Sequence, residues 1–122
     1  MALQTAEDLE VWQRSCRLAV EVCVEFDECK NFTLKDQAQR SAISIPSNIA
    51  EGSERGSTAD FIRFLRYSKG SCAELRTQLY LARKVSQRLN RPGLNVPDEL
   101  IGETREISAM LQGLVNAIER EK

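Results

Sequence analysis

The residue types that most often carry out chemistry in proteins are sparse in this chain. It has no histidine and four cysteines, Cys16, Cys23, Cys29 and Cys72. Cys16 and Cys23 lie on one predicted helix about 10 Å apart along its axis, which is too far for a disulfide. Without histidine or a C-x-x-C pair, a zinc site lacks its usual ligands. We therefore expect reduced thiols, no bound metal and no cofactor.

Pairs of carboxylates are poor candidates for catalytic residues. Glu7 with Asp8 and Asp98 with Glu99 stand at predicted helix starts, where negative charge interacts favourably with the helix dipole. The sequence has no nucleophile elbow, no glycine-rich phosphate loop and no metal-binding motif. We expect a protein that works by binding, with no catalytic, cofactor-binding or metal-binding residues.

A row of basic residues in the third predicted helix is the first candidate binding site. Arg66, Lys69, Arg76 and Arg83 are separated by 3, 7 and 7 residues, so they share one face of the helix. Such a row extends over ~25 Å and could follow a nucleic-acid backbone. The candidate nucleic-acid or partner contacts are Arg63, Arg66, Lys69, Arg76, Arg83, Lys84 and Arg88. A solvated helix face is the alternative, because the net charge of −1 lacks the positive excess typical of nucleic-acid binders.

A stripe of mostly short polar residues in the second predicted helix is the other candidate. One face of this helix holds Gln37, Arg40, Ser41, Ser44, Asn48 and Glu51. Lysine and glutamate are more usual on a solvated face, so serine and asparagine indicate close contact with something. One interpretation is an oligomer interface, or the lining of a channel formed by copies of this helix. The other is a buried hydrogen-bond network around Pro46, where an interior proline predicts a kink.

Two segments of the sequence resemble a known family. SAISIPSNIAEGSERGSTADFIRFLRYSKGSCAEL and the earlier LEVWQRSCRLAVEV are similar to the signature of four-helix-bundle proteins encoded in intervening sequences of 23S ribosomal RNA genes. The similarity covers about the first 90 residues. The chain departs from the pattern at Ser15 and Cys16, which replace a small apolar pair, and in its neutral to acidic charge balance. The resemblance implies a homopentameric assembly.

Helix start and stop signals predict four helices in one domain, residues 1–122. Capping patterns begin at Thr5, Thr33 and Ser57, Gly52 fits a C-cap of the second helix, and Pro97 suits the start of the fourth. The segment Asn90-Arg-Pro-Gly93 predicts the end of the third helix. Short connections between four helices predict an all-α, antiparallel up-down-up-down four-helix bundle.

Periodic apolar residues predict which face of each helix enters the core. For the first helix the stripe is Leu9, Trp12, Cys16, Ala19, Val20, Cys23 and Phe26. For the third helix it is Phe61, Phe64 or Leu65, Ser68, Cys72, Leu75, Leu79, Ala82 and Leu89, and for the fourth it is Leu100, Thr104, Ile107, Leu111, Leu114 and Ile118. We expect Trp12 to pack in the core and not against a ligand. Gly70, within a cluster of small residues in the third helix, predicts a place where another helix approaches closely.

Composition favours a soluble, cytoplasmic protein. Apolar residues make up 42% of the chain and charged residues 29%. No apolar run approaches the ~20 residues that a membrane span needs. The acidic N-terminal segment lacks the basic start and apolar core of a signal peptide. We expect no contact with membranes.

Two hypotheses for function follow. In the first, the chain is an oligomeric scaffold that contacts RNA or an RNA-processing or reverse-transcription partner, by analogy with related pentameric bundles that accompany reverse transcriptases. In the second, it is a purely structural homo-oligomer that binds no nucleic acid, in which the basic face of helix 3 meets an acidic face of a neighbour's helix 1 or 4. The distribution of charge fits both hypotheses. Residues 35–91 hold eleven Lys or Arg and five Asp or Glu, whereas the remainder holds six Lys or Arg and thirteen Asp or Glu. The basic part could therefore attract phosphate groups or an acidic surface of another subunit.

Overall fold

Four α-helices make up most of the chain in the computed structural model, which describes residues 5–90, 94 and 96–121. A short 3₁₀ helix, Ala6–Asp8, precedes α1 (Glu10–Glu25), α2 (Phe32–Glu54), α3 (Thr58–Leu89) and α4 (Asp98–Arg120). Those residues include no β-strand, which confirms the all-α class. No helix in the same residues is long and apolar enough to cross a membrane.

Side-chain contacts define how the helices run relative to one another. Arg66 early in α3 meets Glu119 late in α4, and Arg83 late in α3 meets Asp98 at the start of α4, so these helices are antiparallel. α1 packs against both α2 and α4, which closes the four-helix core. Arg14 of α1 joins Glu103 of α4 in a half-buried two-pronged ion pair. The Glu103 carboxylate raises the pKa of Arg14. These contacts fit the predicted up-down-up-down order.

The core is a single cluster of mostly aliphatic side chains, with contributions from all four helices. Each large aliphatic side chain that is fully buried stabilises the fold by about 1.5–3 kcal/mol relative to leaving it exposed. The largest fully buried apolar side chains are Phe26, Ile45, Ile49, Leu65, Leu75, Leu79, Ile107, Leu111, Val22 and Val115. Leu65, Leu75, Leu79, Ile107 and Leu111 belong to the predicted core faces of α3 and α4, and Val115 lies next to the α4 face. Leu89, also predicted for the α3 face, is 54% exposed.

α1 enters the core by a different stripe from the predicted one. Its buried residues are Val11, Ser15, Leu18, Ala19 and Val22, followed by Phe26 after the helix. The predicted members Cys16 and Cys23 are only partly buried, and Val20 is 60% exposed, so the helix is rotated by about one residue. Ser15 can enter the core because its hydroxyl donates to the carbonyl of Trp12 at 2.9 Å. Trp12 packs against the core, as expected.

Three of the predicted helix boundaries can be compared with the caps that form. Thr5 precedes only the 3₁₀ helix, and α1 begins at Glu10, so the start predicted at Thr5 is wrong. Asn31, not Thr33, caps α2 by accepting from the Leu34 backbone N–H at 3.2 Å. Ser57 caps α3 as predicted, since its hydroxyl accepts from the backbone N–H of Asp60.

Gly52 is a packing position inside α2 and not the predicted C-cap. A Cβ placed there would lie 2.6 Å from Cβ of Phe64 and 3.2 Å from Cδ1 of Phe61, so α3 crosses α2 very closely. α2 continues to Glu54, and the glycine that follows its end is Gly56, with a φ of 83° that favours glycine. Gly70, where close approach was predicted, is exposed and would have nothing within 4 Å of its Cβ.

α3 ends at Leu89, and Asn90 adopts a left-handed conformation with a φ of 52°. Residues 91–93 of the predicted stop signal lie outside the described residues. α4 then begins at Asp98 with Pro97 as its N-cap, one residue later than a proline in the first turn would give.

Candidate functional site

Two cations of the predicted basic row are held by α4 of the same chain. Arg66 pairs with Glu119 at 2.9 Å, and the Lys69 ammonium donates to the Gln112 side-chain carbonyl at 2.5 Å. Both contacts join residues more than 40 positions apart in the sequence, so periodicity along α3 could not predict them. The row therefore faces α4 instead of lying wholly in solvent.

Arg83, the last member of that row, fastens the end of α3 to the segment before α4. Its guanidinium donates to the Val96 carbonyl at 2.7 Å and pairs with Asp98 at 2.8 Å. The Arg83 side chain is 26% exposed, whereas that of Asp98 is 91% exposed. Because a backbone carbonyl and a carboxylate share this guanidinium, we assign Arg83 a structural role in the connection.

The other predicted cations of α3 differ in whether they have acidic partners. Arg63 pairs with Asp60 at 2.9 Å and also lies over the ring of Phe64, with 5.3 Å to its centroid. In the part of the chain that the structure describes, no ion pair involves Arg76, Lys84 or Arg88. These three remain available for an anionic partner.

One further cation, Arg105, was missed by sequence reasoning because it belongs to α4. Its guanidinium donates to the hydroxyl of Tyr80 in α3 at 3.3 Å, and it too forms no ion pair among the described side chains. Residues 76, 80, 84 and 88 are spaced by four, so they follow one another along the surface of α3. We call Arg76, Tyr80, Lys84, Arg88 and Arg105 the α3–α4 patch.

The α3–α4 patch combines four positive charges with one partly exposed aromatic ring. Tyr80 is 42% exposed. Two carboxylates of α4 on this side, Asp98 and Glu119, already pair with Arg83 and Arg66. A cluster of guanidinium and ammonium groups around an exposed ring can bind phosphate by charge-assisted hydrogen bonds and a base or other planar group by stacking.

The middle of the predicted polar stripe lies in the contact between α2 and α3. Ser41 is buried, and the Ser44 hydroxyl lies 2.7 Å from the Ser41 carbonyl and 2.6 Å from the Ser71 hydroxyl of α3. The Asn48 amide donates to the Ser44 carbonyl at 2.9 Å. Ser68 of α3 also bonds across, donating to the Ile45 carbonyl at 2.8 Å. These bonds form the hydrogen-bond network near Pro46 that one interpretation expected.

The hydroxyls on either side of Pro46 bond neighbouring carbonyls. Ser44 donates to Ser41, and Ser47 donates to Ile43 at 2.9 Å, while proline frees the carbonyl of Ala42. α2 continues through the buried Pro46 to Glu54.

The remaining members of the stripe are exposed. Arg40 pairs with Asp36 and Glu51 with Arg55, each one turn away along α2, and Gln37 is also exposed. Pairs of this kind on a helix surface stabilise it by about 0.3–0.5 kcal/mol. The role of the whole stripe as an oligomer interface stays a prediction.

A buried acceptor continues the contact between α2 and α3. Gln78 lies seven residues after Ser71 and therefore on the same side of α3. It is buried, and its Oε1 has no hydrogen-bond partner within residues 5–90, 94 and 96–121. An acceptor buried without a partner costs about 1–3 kcal/mol, so Gln78 is a locally unfavourable position in this contact.

Cys16 and Cys72 lack the environment of reactive thiols. All four cysteines are unpaired in the structure. Burial raises the pKa of Cys72 to about 12 and also raises the pKa of Cys16, so both thiols stay protonated at neutral pH. No group of three potential ligands that could hold a metal occurs among the described residues. Reduced, metal-free cysteines stay a prediction.

A comparison with family models matches residues 7–113 to a family described as 23S rRNA-intervening sequence protein. The matched range includes all four helices except the end of α4, and it contains every residue of the α3–α4 patch and of the polar stripe. No curated protein matches the sequence.

Proposed function

We infer from this geometry that the chain, which belongs to the 23S rRNA-intervening sequence protein family, is a non-enzymatic binding protein that contacts RNA through the α3–α4 patch. We further propose that it acts in the cytoplasm as a homo-oligomeric scaffold, and that a pentamer is the favoured assembly on the basis of the family resemblance. RNA itself, or a protein that handles RNA, is the partner under this proposal.

The observation that carries this proposal is the set of four cations without acidic partners. Arg76, Lys84, Arg88 and Arg105 belong to two helices yet adjoin one surface, while Asp98 at the start of α4 is already paired with Arg83. Electrostatic attraction acts over about 8–10 Å at physiological salt. A local cluster can therefore attract a polyanion although the whole chain has a net charge of −1.

The pairs inside the chain weaken the support for the alternative, in which the basic face of α3 meets an acidic face of a neighbour. Arg66 and Arg83 already have carboxylate partners from their own α4. Because Arg66 and Arg83 are neutralised within their own chain, they supply no electrostatic attraction that would drive assembly. The four cations that form no ion pair among the described residues favour an outside anion instead.

Salt dependence of RNA binding tests this proposal. If the four unpaired cations of each protomer contact phosphates of single-stranded RNA, the slope of log K against log salt should be about −3 for each protomer engaged. Fluorescence anisotropy of labelled RNA with the intact protein across a salt series would measure it. Absence of binding at low salt, or binding that salt leaves unchanged, would contradict an electrostatic RNA interface.

Self-association is proposed at the outer side of the α2–α3 contact, where the polar stripe lies. Tyr67 and Leu81 of α3 are 50% and 51% exposed, and Gln78 between them has its unpaired buried Oε1. Residues 67, 71, 74, 78 and 81 follow the spacing of a helix-packing seam. A second copy covering this seam would bury both apolar side chains.

A lysine placed at Leu81 should weaken the oligomer. Leu81→Lys puts a charge into the proposed interface, where burial without a partner is strongly unfavourable. Light scattering at micromolar concentration should give an oligomer for the parent and a smaller species for this variant.

Val24→Lys is the matched control, because Val24 is 66% exposed on α1. It should leave the mass unchanged. A monomeric parent would disprove self-association. Dissociation by the Val24 change alone would place the interface elsewhere.

A further inference from the structure

We propose that the α3–α4 patch selects single-stranded RNA, because the ring of Tyr80 stacks on an unpaired base while the surrounding cations hold the phosphates. This inference rests on the proposed RNA contact and adds to it the class of RNA and a residue that recognises it. Tyr80 has no role in the core, being 42% exposed, and none in the electrostatic contact.

The position of Tyr80 relative to the cations suits a strand that passes along α3. Arg76 and Lys84 are four residues before and after it, so each lies about 6 Å away along the helix axis. Arg105 lies across the groove on α4. A phosphate held on either side of the ring would leave the base between them next to the ring.

The hydroxyl of Tyr80 is anchored while its ring stays free of neighbouring cations. Arg105 donates to the hydroxyl at 3.3 Å, which limits how the side chain can move. Among the described residues, the cations that lie over an aromatic ring are Arg55 and Arg63, and both lie over Phe64. An anchored ring loses less conformational freedom on binding, which favours stacking.

The other exposed tyrosine of α3, Tyr67, differs from Tyr80 in its ring contact and in its position on the helix. Tyr67 packs edge-on against Phe64, with 5.3 Å between the ring centroids. It lies 13 residues before Tyr80, which at about 100° per residue puts it on a different side of the helix. Tyr67 therefore lacks the position beside the patch cations that suits Tyr80 to stacking.

Stacking on a side chain requires an unpaired base. In an A-form duplex the bases are stacked on one another, and the deep major groove is too narrow for side chains to read. A duplex could contact the patch only through its phosphates. Preference for single strands therefore separates base stacking at Tyr80 from charge attraction alone.

The test uses the full-length chain and three labelled probes of equal phosphate number: an oligouridylate of about 12 nucleotides, an abasic strand and an RNA duplex. The parent protein should bind the oligouridylate more tightly than the other two. Tyr80→Ala should weaken oligouridylate binding by about 5-fold to about 100-fold, the usual range for one stacked base. Binding of the abasic strand, and the salt slope, should stay unchanged.

Two variants control for other effects of the substitution. Tyr80→Phe keeps the ring and loses only the bond to Arg105, so it should retain most of the preference for oligouridylate. Phe32→Ala removes a ring that is 77% exposed at the start of α2, outside both the α3–α4 patch and the proposed oligomer interface, and it should leave all three affinities unchanged.

Equal binding of the oligouridylate and the abasic strand by the parent, or an equal loss for all probes in Tyr80→Ala, would overturn stacking while leaving the RNA contact in place. Failure of the parent to bind any probe at low salt would overturn both.

Discussion

Replacing Gly52 with alanine is expected to lower the free energy of unfolding by about 2 kcal/mol or more. The new Cβ would lie 2.6 Å from Cβ of Phe64, an atom fixed to the backbone of α3 that no side-chain rotation can move. The two helices would have to separate, and the α2–α3 contact with its Ser44–Ser71 hydrogen bond would be disturbed. Urea unfolding followed by circular dichroism would measure the loss.

The control for this prediction is the same substitution at Gly70. That residue lies in the middle of α3, is exposed, and would have nothing within 4 Å of a Cβ. Since alanine favours a helix over glycine by about 0.5–1 kcal/mol, Gly70→Ala should stabilise the protein. Gly52→Ala with unchanged or increased stability would show that the close crossing of α2 and α3 is not fixed.

Local patterns predicted the positions of helices better than the contacts between them. The spacing of Leu75 and Leu79 in α3 and of Ile107 and Leu111 in α4 correctly indicated buried faces, because apolar residues there recur at helical spacing. In α1 the same reasoning chose a stripe one residue away. Ser15 is polar by type, yet its hydroxyl bonds within its own helix and leaves it free to be buried.

Glycine positions required knowledge of the neighbouring helix. Gly52 and Gly70 each interrupt a helical pattern in the sequence, and only the packing of α2 on α3 distinguishes them. Phe64 reaches the backbone at Gly52, whereas Gly70 faces away from the other helices. Sequence reasoning placed the close contact at Gly70 and a helix end at Gly52, and both assignments are wrong because the close contact lies at Gly52 inside α2.

Sequence reasoning could identify only part of the candidate site, because contacts between α3 and α4 join residues that lie far apart in the sequence. Arg76 and Lys84 could be identified from their spacing along α3, but their lack of acidic partners depends on where α4 lies. Arg66 and Arg83 looked equivalent to them until the fold brought Glu119 and Asp98 alongside. Arg105 joins the patch across 25 positions of sequence through Tyr80, and no local pattern indicates that pairing.

Neutralising three cations of the α3–α4 patch is expected to weaken RNA binding by about 100-fold at ~0.1 M salt. A contact between one cation and one phosphate of single-stranded RNA changes log K by about 0.7 for each tenfold change in salt, so three lost contacts make the slope shallower by about 2. The variant is Arg76→Gln, Lys84→Gln and Arg105→Gln together. Anisotropy titrations of a labelled single strand over a salt series would measure both quantities.

A second triple variant separates the position of the charges from their number. Arg17→Gln, Lys30→Gln and Arg120→Gln remove three exposed positive charges from α1, the connection after it and the end of α4. This change leaves the same net charge but should alter RNA affinity no more than a few-fold, because these residues lie outside the patch. Equal losses from both triple variants would mean that RNA senses only the overall charge.

The mass of the oligomer formed by the triple patch variant distinguishes RNA contact from contact between subunits. If the patch cations contact RNA, removing them should leave the mass of the assembly unchanged, since their neutralisation depends on phosphate and not on a neighbouring protomer. If they instead meet acidic side chains of a neighbour, the same variant should loosen the oligomer with no RNA present and make assembly less sensitive to salt. The existing pairs of Arg66 with Glu119 and Arg83 with Asp98 inside one chain lead us to expect an intact oligomer.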